Sequence, residues 1–167
     1  MPESDILDKL KHILELPASR REKAREIAEA IRVSGPYRWV GIYDVNIKEC
    51  LVFNIAWSGP SAPAFPTFPV TSGITSRAIA TKQIVNVGDV TDDSDYLTAL
   101  GNTQSEIIVP VLDAAAQQVV GTIDIESEKR DAFGKDAEQQ LGQCAEVLRP
   151  FWKDGRYDHL SQTIGTG

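Results

Sequence analysis

The chain contains few of the residues that characterise several protein classes. Its 167 residues include only two cysteines, two histidines and one methionine, and the longest apolar run, from Ile107 to Leu112, includes a proline. A membrane-spanning helix needs about 20 apolar residues, so the sequence predicts no membrane span. The acidic N-terminus and the two cysteines favour a cytoplasmic location, without a secretory signal or a disulfide framework.

Positive charge is scarce in one part of the chain. The net charge is −7, and since acids and bases balance over residues 1–33, the excess lies in the body. This charge predicts that neither nucleic acid nor an anionic membrane is a partner. Residues 83–128 contain no Lys or Arg, but they contain nine acids: Asp89, Asp92, Asp93, Asp95, Glu106, Asp113, Asp124, Glu126 and Glu128. Such a stretch is either a solvated surface or a site for a cationic group.

Common catalytic and metal-binding motifs are also absent. The sequence has no P-loop, dinucleotide glycine fingerprint or nucleophile elbow. His12 and His159 lie far apart and lack ligand spacing to the cysteines. The acids at 92, 93 and 95 lack the glycine and distal glutamate of a calcium loop, so they are interpreted as loop and cap residues. We therefore expect neither a metal nor a cofactor.

Both cysteines fall at positions typical of inert thiols. Cys50 lies in a predicted strand, and Cys144 lies on the apolar stripe of a predicted helix. We therefore expect each of them to be a buried thiol of ordinary pKa.

Two amphipathic helices precede the first strand. Apolar residues from Ile6 to Leu14 recur at helical spacing until Pro17. Ser19 and Glu22 have capping-box spacing, and they predict a second helix that ends before Gly35.

A change to a period of two predicts strands in the middle of the chain. Residues 38–45 and 50–57 form a predicted hairpin, and the proline-rich segment 58–69 is predicted to be irregular, leading to a possible short strand near Val70. The later elements are a helix at 73–82, a strand at 84–87, an acidic loop at 91–101, a hairpin of 105–113 with 119–127, and a helix at 135–153.

This order predicts an α+β domain with a central antiparallel sheet. The N- and C-terminal helices would cover one face of the sheet and leave the other for a ligand pocket. The predicted boundaries are N-terminal helices at 1–35, the domain with its C-terminal helix at 36–154, and a tail at 155–167. The apolar stripes of the terminal helices either pack on their own sheet or form a homodimer seam between two chains.

Strand alternation predicts which side chains line that pocket. Trp39 and Tyr43 share one face of their strand, and Asp124 and Glu126 share one face of theirs. Glu106 on the neighbouring strand adds a third acid. Aromatic rings with carboxylates attract an ammonium group, although core aromatics and solvated acids would give the same pattern. The backbone N–H groups at the start of the 73–82 helix can receive a carboxylate, which together with the acids favours a zwitterion.

Four short segments resemble a GAF domain over roughly residues 38–149. They are WVGIY at 39–43, GITSRAI at 73–79, SEIIVPV at 105–111 and GTIDIE at 121–126. Within that superfamily the chain most resembles the free methionine-(R)-sulfoxide reductases, cytosolic enzymes that use cysteine chemistry. The resemblance implies that the family's substrate-holding positions are Trp39, Tyr43, Glu106, Asp124 and Glu126, the last of which is Asp in the family.

The redox cysteines of that family have no counterpart here. The resemblance places them at Phe65, Thr75 and Ala99. Sulfoxide reduction by this route needs an attacking thiolate and a resolving thiol, which these side chains do not supply. The sequence thus favours a stand-alone GAF module that binds a small amino-acid-like ligand without catalysis and has a sensing or regulatory role. The alternatives are a reductase that uses Cys50 or Cys144 and a structural dimerisation module with a vestigial pocket.

Overall fold

A six-stranded antiparallel sheet forms the centre of the computed structural model, which describes residues 3–97, 101–115 and 117–155. The strand order is β3-β2-β1-β6-β5-β4. The strands are β1 (Trp39–Asn46), β2 (Leu51–Ser58), β3 (Thr67–Pro69), β4 (Val85–Val87), β5 (Ser105–Leu112) and β6 (Val119–Ser127). The helices are α1 (Glu3–Leu14), α2 (Arg20–Val33), α3 (Thr75–Thr81), α4 (Lys135–Val147) and α5 (Arg149–Gly155). The predicted α+β architecture is therefore confirmed.

The terminal helices cover one face of the sheet, as predicted. The capping box at the start of α2 is present, with Ser19 Oγ accepting from the Glu22 amide and Glu22 Oε2 accepting from the Ser19 amide. The apolar stripes of α1, α2 and α4 pack on Ile42, Ile123 and Ile125 of the central strands. These stripes lie in the chain's own core, and a homodimer through the terminal helices remains a prediction.

The last helix differs from the prediction of one continuous helix over 135–153. It is divided into α4 and α5, with Leu148 between them. Pro150 has no amide hydrogen, and its ring would clash with the carbonyl four residues earlier in a continuous helix. Proline is tolerated in a first helical turn, which is where α5 places it. The break turns α5 so that Phe151 and Trp152 are buried against the sheet.

The opposite face of the sheet, which was predicted to be free for a ligand, is covered by other segments of the chain. Residues 59–75, α3 and the acidic loop before Leu97 pack over it, and they leave a cleft between themselves and the sheet. Within the segment predicted to be irregular, β3 pairs with β2 through Leu51↔Pro69 and Phe53↔Thr67. Its three residues are too short for a periodic signal, so only the partner strand defines it.

No helix among the described residues is long and apolar enough to cross a bilayer. Ala99 lies outside the described residues, as does the predicted tail after Gly155.

Candidate ligand-binding pocket

The cleft on the face away from the terminal helices contains all five predicted site residues, namely Trp39, Tyr43, Glu106, Asp124 and Glu126. Its other walls come from the loops and α3: Pro63, Phe65, Phe68, Gly73, Ile74, Thr75 and Leu97. The cavity volume is about 20 Å³, which is room for one water molecule. This space is too small for a larger molecule, and the exposed Phe65 lies at its mouth.

The strand register brings the three acids together. Glu106 of β5 lies directly opposite Glu126 of β6, and Glu126 also lies opposite Trp39 of β1. Asp124 occupies the next position on the same face, opposite Gly41. Directly opposed residues in an antiparallel pair have Cβ atoms about 5 Å apart, so the acids form one cluster at the base of the cleft.

Gly41 makes room for the aromatic wall of the pocket. A Cβ atom at this position would lie 2.4 Å from Trp39 Cη2 and 2.6 Å from Tyr43 Cε2. The two rings thus lean toward each other over Gly41, next to Asp124. The Trp39 indole is held by a hydrogen bond from Nε1 to the Ser61 carbonyl oxygen at 3.0 Å, and Tyr43 packs edge-on against Phe68 with centroids 5.8 Å apart.

Two buried threonines donate to the acid cluster. Thr103 Oγ1 donates to Glu126 Oε2 at 2.8 Å, and Thr75 Oγ1 makes a longer contact of 3.4 Å with Asp124 Oδ2. The other Asp124 oxygen, Oδ1, is buried and has no hydrogen-bond partner of good geometry within the part of the chain that the structure describes, although the Thr122 hydroxyl lies close enough to lower the Asp124 pKa. A buried carboxylate oxygen without a donor is costly, so this atom indicates where a ligand donor would bind.

Burial and mutual repulsion raise the proton affinity of the cluster. Glu106, Asp124 and Glu126 are only 6%, 5% and 1% exposed. Desolvation, followed by repulsion from Glu126 and Asp124, raises the Glu106 pKa well above its usual range. Desolvation raises the Asp124 pKa to about 7. The Tyr43 pKa is also raised, by burial and by the neighbouring carboxylates.

The cation that acts on the Glu106 pKa, Arg77, is already paired with other acids. Arg77 of α3 donates to Asp93 Oδ2 at 2.6 Å, and its Nε lies 3.9 Å from Asp95 Oδ2. The positive charge of Arg77 lowers the Glu106 pKa, but this effect is smaller than the desolvation and the repulsion that raise it. The Arg77–Asp93 ion pair instead holds the acidic loop against α3. Asp93 thus lies in a loop, as predicted.

The structure adds residues to the site that the sequence analysis did not assign to it. Thr103 lies just before β5 and reaches Glu126 only because β5 and β6 pair, so no local pattern marks it. Thr75 was considered only as a replaced cysteine, but it contacts Asp124. Phe65, another of these positions, is 44% exposed at the mouth of the pocket.

The start of α3 also lies at the pocket. Gly73, Ile74 and Thr75 line it, as the sequence analysis anticipated for the helix predicted at 73–82. Since α3 has only seven residues, its N-terminus alone does not define an anion site.

The expectation for the two cysteines is wrong in part. Cys50 is exposed and lies in the turn between β1 and β2 with a φ of 58°, not buried in a strand. Cys144 is buried among the helices, as expected, but desolvation raises its pKa to about 12 rather than leaving it ordinary. Neither thiol lines the pocket.

Comparison with known proteins gives no matching family model. Protein YtsP of Bacillus subtilis is 26% identical over 110 residues, which cover 66% of this chain and 65% of YtsP. The matched region therefore spans slightly less than two thirds of this curated relative.

Solved structures share the fold over nearly the whole chain. A type II free methionine-R-sulfoxide reductase from Thermoplasma acidophilum is 29% identical, with a TM-score of 0.74, covering 87% of this chain and 96% of that one. The Neisseria meningitidis free methionine-R-sulfoxide reductase, in complex with its substrate, is 22% identical with a TM-score of 0.81, covering 93% and 91%. A putative GAF sensor protein from Burkholderia vietnamiensis is 18% identical with a TM-score of 0.80, covering 92% and 96%.

The sheet order, the helical layer and the covered pocket therefore define a GAF-like fold. Its structural neighbours include both GAF sensor domains and free methionine-R-sulfoxide reductases.

Proposed function

We propose that this chain is a GAF module that binds a small cationic or zwitterionic, amino-acid-like ligand and does not turn it over. The observation that carries the proposal is the unpartnered Asp124 Oδ1, buried beside Glu106 and Glu126. An ammonium group offers three donors and a positive charge. It would satisfy this oxygen and relieve the repulsion among the three acids.

The walls of the pocket favour an organic cation over a metal ion. Within the described ranges, no three His, Cys, Asp or Glu side chains are arranged to hold a metal. Trp39 and Tyr43 instead present ring surfaces beside the carboxylates, and such surfaces attract ammonium groups and cover aliphatic side chains. Since two of the structural neighbours are reductases of free methionine-R-sulfoxide, methionine and its sulfoxides are the first ligands to test.

The positions of the thiols favour binding without sulfoxide reduction. Cys144 lies in the core on the other side of the sheet, and Cys50 lies in the exposed turn after β1. A thiol that attacks a ligand in the pocket would have to line it, and neither does. Phe65 and Thr75, which do line it, have no thiol.

A hydrogen bond gives the proposed sensor a route to its terminal helices. Trp152 Nε1 of α5 donates to the main-chain oxygen of Tyr43 at 3.0 Å. Ligand contact with the Tyr43 ring would shift β1 and thereby the α5 helix behind it. We propose this connection as the basis of a regulatory role.

Calorimetric titration with L-methionine and the two diastereomers of its sulfoxide tests the proposal. We expect one of them to bind, and Glu106→Gln and Asp124→Asn to weaken binding by about 10- to 100-fold, as loss of a charged hydrogen bond predicts. Asp44→Asn is the matched control, because Asp44 is a buried acid on the same sheet but on the helical side. That variant should bind like the unmodified protein.

Two results would contradict the proposal in different ways. If no compound binds, or if Glu106→Gln and Asp124→Asn leave affinity unchanged, the pocket is not the ligand site and the structural-module alternative gains support. If the protein reduces a sulfoxide with a dithiol reductant and loses this activity in Cys50→Ser or Cys144→Ser, the reductase alternative is correct.

A further inference from the structure

A second concave surface lies between α2 and β2, and Pro63 separates it from the pocket by lining both. We call it the α2–β2 groove and define it by Arg21, Arg25, Ile55, Trp57, Pro63 and Pro66. Its volume is about 1020 Å³, far larger than that of the pocket. The N-terminal half of α2 forms one wall, and the proline-rich segment after β2 forms the other.

The groove follows an open strand edge. β3 pairs only with residues 51–53 of β2, and the Asn54 amide then donates to the Pro66 carbonyl oxygen at 2.7 Å. Beyond this point, residues 55–58 have no strand partner on their outer side among the described residues, although the Ala56 carbonyl oxygen accepts from Asn54 Nδ2 at 3.1 Å. All residues from 54 to 58 line the groove, which is expected when a groove runs along an edge, since side chains alternate between faces. Such an edge accepts an added strand.

Two unneutralised arginines stand over this edge. Arg21 and Arg25 are exposed and four residues apart on α2, where like charges repel each other. No ion pair to either of them is present within the described part of the chain. Arg20, by contrast, is bound by both oxygens of Asp44.

Two of the three acids of α2 have other partners, and the third, Glu26, forms no ion pair with either arginine within the described part of the chain. Glu22 accepts from the Ser19 amide in the capping box. Glu29 accepts from Arg32 and from the Ser58 hydroxyl. In a chain of net charge −7, this leaves a local positive patch beside unpaired strand backbone.

We propose that the α2–β2 groove binds an extended acidic peptide segment of a partner protein. The segment adds as a strand along residues 55–58, its carboxylates meet Arg21 and Arg25 on the face toward α2, and its apolar side chains pack on Trp57 on the opposite face. Main-chain hydrogen bonds supply affinity, and the arginines supply the preference for acidic sequences.

Fluorescence anisotropy with a labelled alternating peptide, (Glu-Val)₄, tests the proposal on the full chain. We expect saturable binding that weakens as salt is added, and no binding of (Lys-Val)₄ at the same concentrations. A (Glu-Val)₄ peptide that is N-methylated at alternate residues keeps its charge but loses the amide donors along one of its two edges. It should therefore bind about tenfold more weakly or not at all.

Charge-reversal variants locate the site. Arg21→Glu combined with Arg25→Glu should weaken (Glu-Val)₄ binding by about tenfold or more. The control pair Lys48→Glu with Lys135→Glu makes the same change in net charge at exposed positions outside the groove, and it should change affinity by less than about twofold. Bound peptide should also slow amide exchange within residues 55–58.

Several outcomes would overturn the proposal. Equal binding of the N-methylated peptide would show that no strand is added, and equal weakening by the control pair would place the site elsewhere. Absence of (Glu-Val)₄ binding, together with a dimer that Arg21→Glu and Arg25→Glu dissociate in sedimentation, would assign the groove to a second copy of this chain.

Discussion

At the scale of single residues, Asp124 shows most clearly that burying carboxyl groups in the pocket costs folding free energy. Burial raises its pKa from the ordinary 3.8 to about 7. The protonated form is therefore favoured in the folded state and the ionised form in the unfolded state. Relative to the ionised form, the protonated Asp124 side chain favours the folded state. This stabilisation is fully present below pH 3.8 and is lost as the pH rises to about 7.

This reasoning predicts how Asp124→Asn changes the pH dependence of stability. The Asn side chain does not ionise, so the variant should gain free energy of unfolding relative to the unmodified protein between pH 4 and pH 8. The displacement of the pKa corresponds to a gain of up to about 4 kcal/mol. Urea denaturation at several pH values measures it, with the exposed Asp8→Asn as a control. Parallel curves for Asp124→Asn and the unmodified protein would contradict the prediction.

Sequence alternation predicts which of the five pocket side chains share a face of each strand, but their meeting in one place also depends on the pairing of β6 with β1 and β5. Trp39, Tyr43, Asp124 and Glu126 follow from a period of two once β1 and β6 pair. The hydroxyl of Thr103 and the close approach permitted by Gly41 depend on contacts between distant segments. No local pattern encodes such contacts, so the charge state of the acids was not predictable from the sequence.

At the scale of the element, α5 is fastened to the sheet at a glycine. A Cβ atom at Gly121 of β6 would lie 2.0 Å from Trp152 Nε1, the same atom that donates to the Tyr43 main-chain oxygen. The Trp152 indole can therefore reach β1 only because Gly121 has no side chain.

We predict that Gly121→Ala displaces α5 and costs about 3 kcal/mol of unfolding free energy, because it adds overpacking to the loss of this hydrogen bond. Trp152→Phe should cost about 1 to 3 kcal/mol. Gly101→Ala is the control, because a Cβ atom there meets nothing within 4 Å. Chemical denaturation measures all three variants, and similar costs for Gly121→Ala and Gly101→Ala would disprove the proposed packing role.

Most elements could be predicted from local signals, and the exceptions have physical reasons. The capping box at Ser19 and the periodicity of β5 and β6 are local, and they predicted the elements closely. The break before Pro150 was missed because the apolar stripe continues through it to Trp152. The turn between β1 and β2 is predicted at 46–48, but it extends to Cys50, whose left-handed backbone leaves no periodic trace that would separate it from the strand.

At the scale of the whole molecule, one ion pair connects α2 and α5 to the sheet. Arg20 at the start of α2 donates to both oxygens of Asp44 on β1 at 2.7 Å, and its guanidinium lies 4.8 Å from the ring centroid of Phe151 on α5. The side chains of the pair are only 12% and 10% exposed.

Breaking this pair should destabilise the fold without affecting the pocket. Asp44→Asn leaves a largely buried guanidinium without its counter-charge, which costs about 3 kcal/mol. Replacing both partners, with Arg20→Met and Asp44→Leu, should recover much of that loss. Thermal and urea unfolding measure the two variants. If the double variant is as unstable as Asp44→Asn, the attraction within the ion pair exceeds the free energy that its desolvation costs, and the pair is a net source of stability.

The two outermost strands, β3 and β4, have three residues each, and β3 is bordered by Pro66 and Pro69. Short, proline-flanked edges are poor templates for further strands. The remaining open stretch of β2 lies beneath Arg21 and Arg25, so two copies that approach each other along this edge bring like charges together. The protein should therefore resist growth into ordered aggregates, although its sheet is not closed into a barrel.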